Sequence, residues 1–141
     1  MPYDPSRVAS ILEIQALNAQ YNFAVDEADG DAWAACFTTS GVFNALLEGE
    51  RPVGTEELKK FVTTVNHAFG QMHHLTTNEI ISFEGDGKAR QKCYLQFFYK
   101  KDGQLEGTLC VYDDWLEIEN GAWKFSRRDV LPKAKFAHLN D

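Results

Sequence analysis

The chain has 141 residues, a formal net charge of −7, and 44% hydrophobic and 25% charged residues. That length supports one domain, 1–141, with a sizeable core and leaves little room for a second. The acidic balance argues against nucleic acid as a main partner, because phosphate binding needs clustered Lys and Arg and the basic stretch Lys124 to Lys135 is broken by Asp129 and apolar residues.

Asp4 followed by Pro5 predicts a helix start, an N-cap acceptor with proline at the first helical position. A helical period runs from there to about Ala28. Leu12, Ala16, Ala19, Phe23 and Asp26 fall at spacings of four, three, four and three, which reads as one buried face ending in a carboxylate. A carboxylate there either has a partner or has a raised pKa; the alternative is a frayed last turn with Asp26 solvated. Asp29-Gly30-Asp31 ends this helix and caps a short second one, Ala32 to Phe37. Thr38-Thr39-Ser40-Gly41 reads as a turn, Val42 to Leu47 as a first strand, and Glu48-Gly49-Glu50 as another turn. Gly54-Thr55-Glu56-Glu57 opens a third helix running to about Phe69, with Leu58, Phe61, Val62, Val65 and Phe69 as a core face without chemistry.

After Gly70 the period changes to two. Four strands are expected: Met72–Phe83, Ala89–Lys101, Leu105–Glu119 and Ala122–Leu131. Asp102-Gly103 and Asn120-Gly121 between them are type I′ hairpin pairs. Helix, helix, strand, helix and then an antiparallel meander give an α+β fold, with helices covering one face of a curved sheet. Cys36, Cys93 and Cys110 form no CxxC pair and suit reduced core thiols. The start of the chain shows no signal-peptide pattern and no run reaches membrane length, so a cytoplasmic protein without membrane contact is expected.

Two of the four histidines, His73 and His74, open the first meander strand. Alternation places His74, Thr76, Asn78, Ile80 and Ser82 on one face and His73, Leu75, Thr77, Glu79 and Ile81 on the other. The polar His74 and Asn78 favour the first set as the inward one. A histidine there is either a general-base candidate or a hydrogen-bonded pair member without chemistry. In the last strand, alternation groups Trp123, Phe125, Arg127 and Asp129 against Lys124, Ser126 and Arg128. Asp113 and Asp114 sit among apolar residues, where structural ion pairs are the plain reading.

Several of these motifs, in this order, resemble the SnoaL-like branch of the nuclear-transport-factor-2-like superfamily. They are Tyr21-x4-Asp26, Asp29 with Trp33 and Phe37, and His74-Leu75-Thr76-Thr77-Asn78. Tyr112-Asp113-Asp114, Gly121-Ala122-Trp123-Lys124-Phe125 and Arg128 complete the set. The resemblance implies a cone-shaped α+β barrel, a curved antiparallel sheet wrapped around a long N-terminal helix and two further helices. It is strongest to cofactor-independent lyases such as scytalone dehydratase, bile acid dehydratase and lindane dehydrochlorinase. It implies His74 as base, Asp26 as its orienting carboxylate, Tyr21 as a site tyrosine and Arg128 as an arginine near the dyad. His73 receives no role, and the second catalytic histidine of scytalone dehydratase has no counterpart.

Trp33, Phe43, Asn78 and Tyr112 are the candidate substrate contacts, and neither metal nor cofactor is implied. The expected activity is a lyase or isomerase acting on a small hydrophobic molecule by dehydration, elimination or double-bond shift. The alternatives are a non-catalytic scaffold, such as a ring-hydroxylating dioxygenase small subunit, and a polyketide-cyclase or steroid-isomerase activity. A homodimer or homotrimer is expected, with a second copy over the open face of the sheet. The tail from Pro132 to Asp141, with Phe136, His138 and Leu139, is a candidate to close the pocket or a subunit contact.

Overall fold

The computed structural model describes residues 4–45 and 50–136, with the backbone alone at 135 and 136. Asp4 caps the chain start as expected: its Oδ1 accepts from the Ser6 N–H at 2.9 Å, and a 3-10 turn, Pro5–Arg7, leads into helix α1, Val8–Asp26. The buried face of α1 is not the one the spacing suggests. Ile14, Leu17, Asn18, Tyr21, Ala24 and Val25 are buried, whereas Leu12 and Phe23 are 61% and 66% exposed. The helix is apolar on both sides, so two rows share the same spacing and periodicity cannot choose between them.

The Asp29 carboxylate accepts from the Ala32 N–H at 3.0 Å and caps α2, Gly30–Ala34, which is shorter than the expected Ala32–Phe37. The chain leaves the helix early because the Phe125 N–H takes the Cys36 carbonyl, at 2.9 Å, and draws the next residues into the sheet. Strand β1, Phe37–Ala45, therefore includes the stretch read as a turn. The turn chemistry survives there as a bulge. A Cβ on Gly41 would meet Phe37 Cβ at 2.8 Å and the Thr38 carbonyl at 2.9 Å, so this position requires glycine. The remainder of the expected strand, Leu46 and Leu47, and Glu48 and Gly49 of the turn lie outside the described residues.

Helix α3, Thr55–Phe69, starts and ends where its signals place it. Strands β2, Met72–Phe83, β3, Lys88–Lys101, β4, Gln104–Glu119, and β5, Ala122–Phe136, follow, the last running further than Leu131. Pro132 to Phe136 thus belong to the sheet, and the rest of the tail, with His138 and Leu139, lies outside the described residues. Asp102-Gly103 and Asn120-Gly121 have positive φ at both residues, as type I′ turns demand. The strand order is β1-β5-β4-β3-β2, antiparallel except that β1 runs parallel to β5. The three helices pack on one face and close a core of aromatic and aliphatic side chains around Tyr21, Trp33, Phe37 and Phe125. This is the expected α+β architecture. No helix among the described residues is long and apolar enough to cross a membrane.

Two further register shifts, in β2 and in β5 after Phe125, decide which side chains face the site. In β2 the register shifts between Thr77 and Ile80, and Asn78 takes φ 62°. His74 and Thr76 stay on the half-buried face, but Asn78 and Ile80 turn outward and Glu79 and Ile81 turn inward. In β5 the face changes after Phe125: Arg128 and Val130 are buried, while Arg127 and Asp129 pair on the other side at 2.8 Å. Asparagine tolerates the left-handed conformation and β-branched residues do not. Asn78→Val is expected to destabilise the fold by about 1–2 kcal/mol and Asn78→Gly to be nearly neutral, measured by urea unfolding.

Candidate active site

The site is assembled from the last turns of α1, from α2, from α3 and from the half-buried face of the sheet. Asp26 closes α1 where β2 passes it, and both carboxylate oxygens are used. Oδ2 accepts from the His74 backbone N–H at 2.9 Å, and Oδ1 accepts from His74 Nδ1 at 2.5 Å. A carboxylate can only accept, so Nδ1 carries the proton and Nε2 is the ring nitrogen with a lone pair. The side chains are 10% and 14% exposed. The imidazole also lies over the Phe97 ring, centroids 4.6 Å apart, which limits its rotation. His73 is exposed.

His74 forms part of the wall of a cavity of about 110 Å³. Val25, Phe61, Val65, Phe69, Leu95 and Phe97 give this cavity an apolar lining, and Trp33, Phe43, Tyr21 and Tyr112 complete its wall. Glu50 and Thr64 also border it. Of the candidate contacts, Trp33, Phe43 and Tyr112 thus face the same space as His74. Asn78 does not. The bulge sends it to the outer face, where it borders a separate hollow with Ile80, Lys92 and Tyr94. Phe61, Val65 and Phe69, expected as core packing, do pack against the core and in addition form part of the cavity wall.

The Tyr112 hydroxyl donates to the Tyr21 oxygen at 3.4 Å, and the rings meet edge to face at 5.9 Å. Burial pushes the Tyr21 phenol up to about 12, partly opposed by the nearby Arg128 cation, and burial likewise raises Tyr112. Both are neutral hydrogen-bonding groups at ordinary pH. Arg128 lies behind them and is not part of the cavity wall. Its guanidinium carbon is 3.7 Å from the Tyr112 ring centroid and 4.5 Å from that of Tyr21.

Arg128 is fully buried and is held by Asp114: Nε donates to Oδ1 at 2.8 Å and Nη2 to Oδ2 at 2.9 Å. Burial alone would disfavour its charge, but the Asp114 carboxylate raises the guanidinium above its ordinary value. Gln91 Nε2 donates to Asp114 Oδ2 at 2.8 Å, and Asn18 Oδ1 accepts from Arg128 Nη2 at 3.0 Å. Asn18 and Gln91 then pair through their amides at 2.8 Å and 3.1 Å. This network was missed as such, although Gln91 in the apolar row Ala89, Cys93, Leu95 of β3 is a visible signal for it. Among the described residues no three His, Cys, Asp or Glu side chains gather to hold a metal ion.

Burial also pushes the Cys93 thiol up to about 12 and Cys110 up to about 11. These thiols and Tyr21 stay protonated in the folded chain at pH values where the unfolded chain has ionised. Stability is therefore expected to hold level up to about pH 9 and then fall as pH rises, by about 1.4 kcal/mol per unit for each such group. Urea midpoints measured from pH 7 upward test this; a midpoint unchanged in the alkaline range would contradict it.

A family model described as SnoaL-like domain matches residues 6–129. The chain belongs to the SnoaL-like family. No curated protein matches this SnoaL-like chain by sequence. Its fold is that of solved relatives. A variant of Rv3472, a protein of unknown function from Mycobacterium tuberculosis, is 25% identical with a TM-score of 0.84, over 92% of this chain and 76% of that one. A hexachlorocyclohexane dehydrochlorinase, LinA-type3 from Novosphingobium barchaimii LL02, is 20% identical with a TM-score of 0.86, over 99% and 97%. A scytalone dehydratase candidate from Novosphingobium aromaticivorans is 18% identical with a TM-score of 0.83, over 96% and 91%. The SnoaL-like fold seen here is thus related to dehydrochlorinases and dehydratases.

Proposed function

We propose that the chain is a cofactor-independent lyase or isomerase in which His74 removes a proton from a small apolar substrate. The observation that carries this reading is the doubly anchored His74–Asp26 pair, with His74 on the wall of a mainly apolar cavity. Asp26 fixes the tautomer and orientation of the ring, so that Nε2 accepts a C–H proton and the resulting imidazolium is balanced by the carboxylate. A positioned base of this kind contributes about 10²–10⁴-fold to a rate.

The electron pair released from the C–H bond then either forms a double bond with loss of a leaving group or shifts along the substrate. Tyr21 and Tyr112, neutral and on the same cavity wall, are the donors for a leaving group or developing oxyanion. Arg128 acts through them: a cation behind two phenols favours negative charge on whatever they hold. Engineered cavities of about 150 Å³ take up benzene, so a compact ring without formal charge is the fitting size class.

The test is elimination from small cyclic carbon acids, beginning with hexachlorocyclohexane and chloride release, together with hydrogen–deuterium exchange at acidic C–H positions in D₂O. Wild type should act on at least one such compound and His74→Ala should not, with circular dichroism unchanged. Exchange or elimination retained in His74→Ala would overturn the assignment of the base.

A further inference from the structure

The carboxylate that holds His74 stands at the end of a helix whose last turn is strained. Beyond Asp26, α1 closes in a Schellman turn. The Asp29 N–H reaches back to the Ala24 carbonyl at 2.8 Å, and the Ala28 N–H to the Val25 carbonyl at 3.3 Å. Such a turn needs one residue in the left-handed region, where glycine is the usual choice. Here it is Ala28, at φ 60°. A Cβ in that conformation is strained, and a strained residue persists only where its surroundings hold it.

The longer of the two bonds is the one to Val25, and the Val25 carbonyl has a second donor. Asn66 Nδ2, on α3, donates to it at 3.1 Å and to the Val62 carbonyl of its own helix at 3.0 Å. Both neighbours are carbonyls, which only accept, so the group lying between them is the amide NH2 and not its oxygen. The bond to Val62 fixes the Asn66 side chain along α3, which the buried Leu58 and Val62 anchor in the fold. The strained end of α1 is thus tied across to a second helix.

The tie falls next to the reacting pair. The Val25 carbonyl and the Asp26 N–H belong to one planar peptide group, so holding the oxygen holds the plane from which Asp26 projects. Asp26 must aim two oxygens at once, Oδ2 at the His74 N–H and Oδ1 at the ring Nδ1. A small rotation of that peptide would misplace both.

We infer that Asn66 is a positioning residue for the His74–Asp26 pair. It clamps the Val25 carbonyl, keeps the strained turn at Ala28 closed and so aims the Asp26 carboxylate. The effect on rate rests on the reading of His74 as the base; the effect on the geometry of the pair does not.

The experiment joins nitrogen NMR of the His74 imidazole to kcat and to the Kd of benzene as an apolar probe of the cavity. Wild type should show Nδ1 protonated and Nε2 bare. In Asn66→Ala the two nitrogen shifts should move toward one another as the ring samples both tautomers. Its kcat should fall by about 10–100-fold with the Kd for benzene unchanged. Adding Ala28→Gly to Asn66→Ala should restore the shifts and most of kcat, because glycine closes the turn without help. Ala28→Val, with Asn66 in place, should reproduce the changes of Asn66→Ala, which keeps the test available if Asn66→Ala does not fold. Unchanged shifts in both Asn66→Ala and Ala28→Val would overturn the inference. So would a loss that Ala28→Gly does not restore, or a weaker Kd with unchanged shifts, which would make Asn66 a support of the cavity wall. Altered and rescued shifts in a protein that turns over no substrate would uphold the clamp and count against His74 as the base.

Discussion

Asp26→Asn is expected to lower turnover by about 10²–10⁴-fold while leaving the fold and the cavity in place. The carbonyl oxygen of an asparagine can still accept from the His74 backbone N–H, which is one of the two bonds that Asp26 makes. The other bond reverses. An amide nitrogen presented to Nδ1 donates where the carboxylate accepted, so the ring proton moves to Nε2 and that nitrogen has no lone pair to offer a substrate. The carboxylate that balances the imidazolium is lost as well. The readout is kcat against an apolar probe's Kd for the cavity: kcat falls and the Kd stays. Near-wild-type kcat in Asp26→Asn would show that Asp26 does not set the working tautomer. A rise in Kd with kcat unchanged would make the pair a structural one.

The pairing of Asp26 with His74 is legible through the family resemblance, whereas the spacing of α1 suggests the wrong buried row for Asp26. The row that seemed to bury it, Leu12 to Phe23, is the exposed side of α1. Asp26 is sheltered because β2 crosses the end of the helix and lends it two donors from His74. Periodicity reports that a helix has an apolar row; it does not say which of two apolar rows faces the sheet, because that depends on what packs against it.

The sheet shows the opposite behaviour. Its turns were legible to the residue, since Asp102-Gly103 and Asn120-Gly121 need positive φ and nothing else suits the hairpins. Faces within the strands were legible only up to the first bulge. His74 lies before the shift in β2 and is placed correctly, while Asn78 lies on it and is not. In β5 the shift after Phe125 exchanges the two arginines: Arg127 pairs with Asp129 on the outer side and Arg128 goes inside. A bulge moves every later side chain to the other face, and in β2 and β5 no local residue pattern announces one except Asn78. The cavity wall from α3 was hidden for a different reason. Phe61, Val65 and Phe69 pack like core residues on one side and are bare toward the cavity on the other.

Asp114→Ala is expected to be strongly destabilising, costing about 3–5 kcal/mol. Asp114 and Arg128 are both fully buried, and removing the carboxylate leaves a guanidinium with the Asn18 oxygen as its remaining acceptor among those described. A loss of that size is a large share of the about 5–15 kcal/mol that holds an ordinary domain together. The pair itself contributes far less than its disruption costs, because each ion was first taken out of water. The double variant Asp114→Leu with Arg128→Met is therefore expected to recover most of the stability, measured by urea unfolding of both variants beside wild type. If the double variant is as unstable as Asp114→Ala, the network is needed for its shape and not for charge balance. The recovered double variant then separates folding from chemistry. It keeps Tyr21, Tyr112 and the His74–Asp26 pair but removes the cation behind the phenols. A fall in its kcat, with the apolar probe still bound, would place Arg128 in the reaction as a residue acting through the tyrosines; an unchanged kcat would confine it to holding α1 against the sheet.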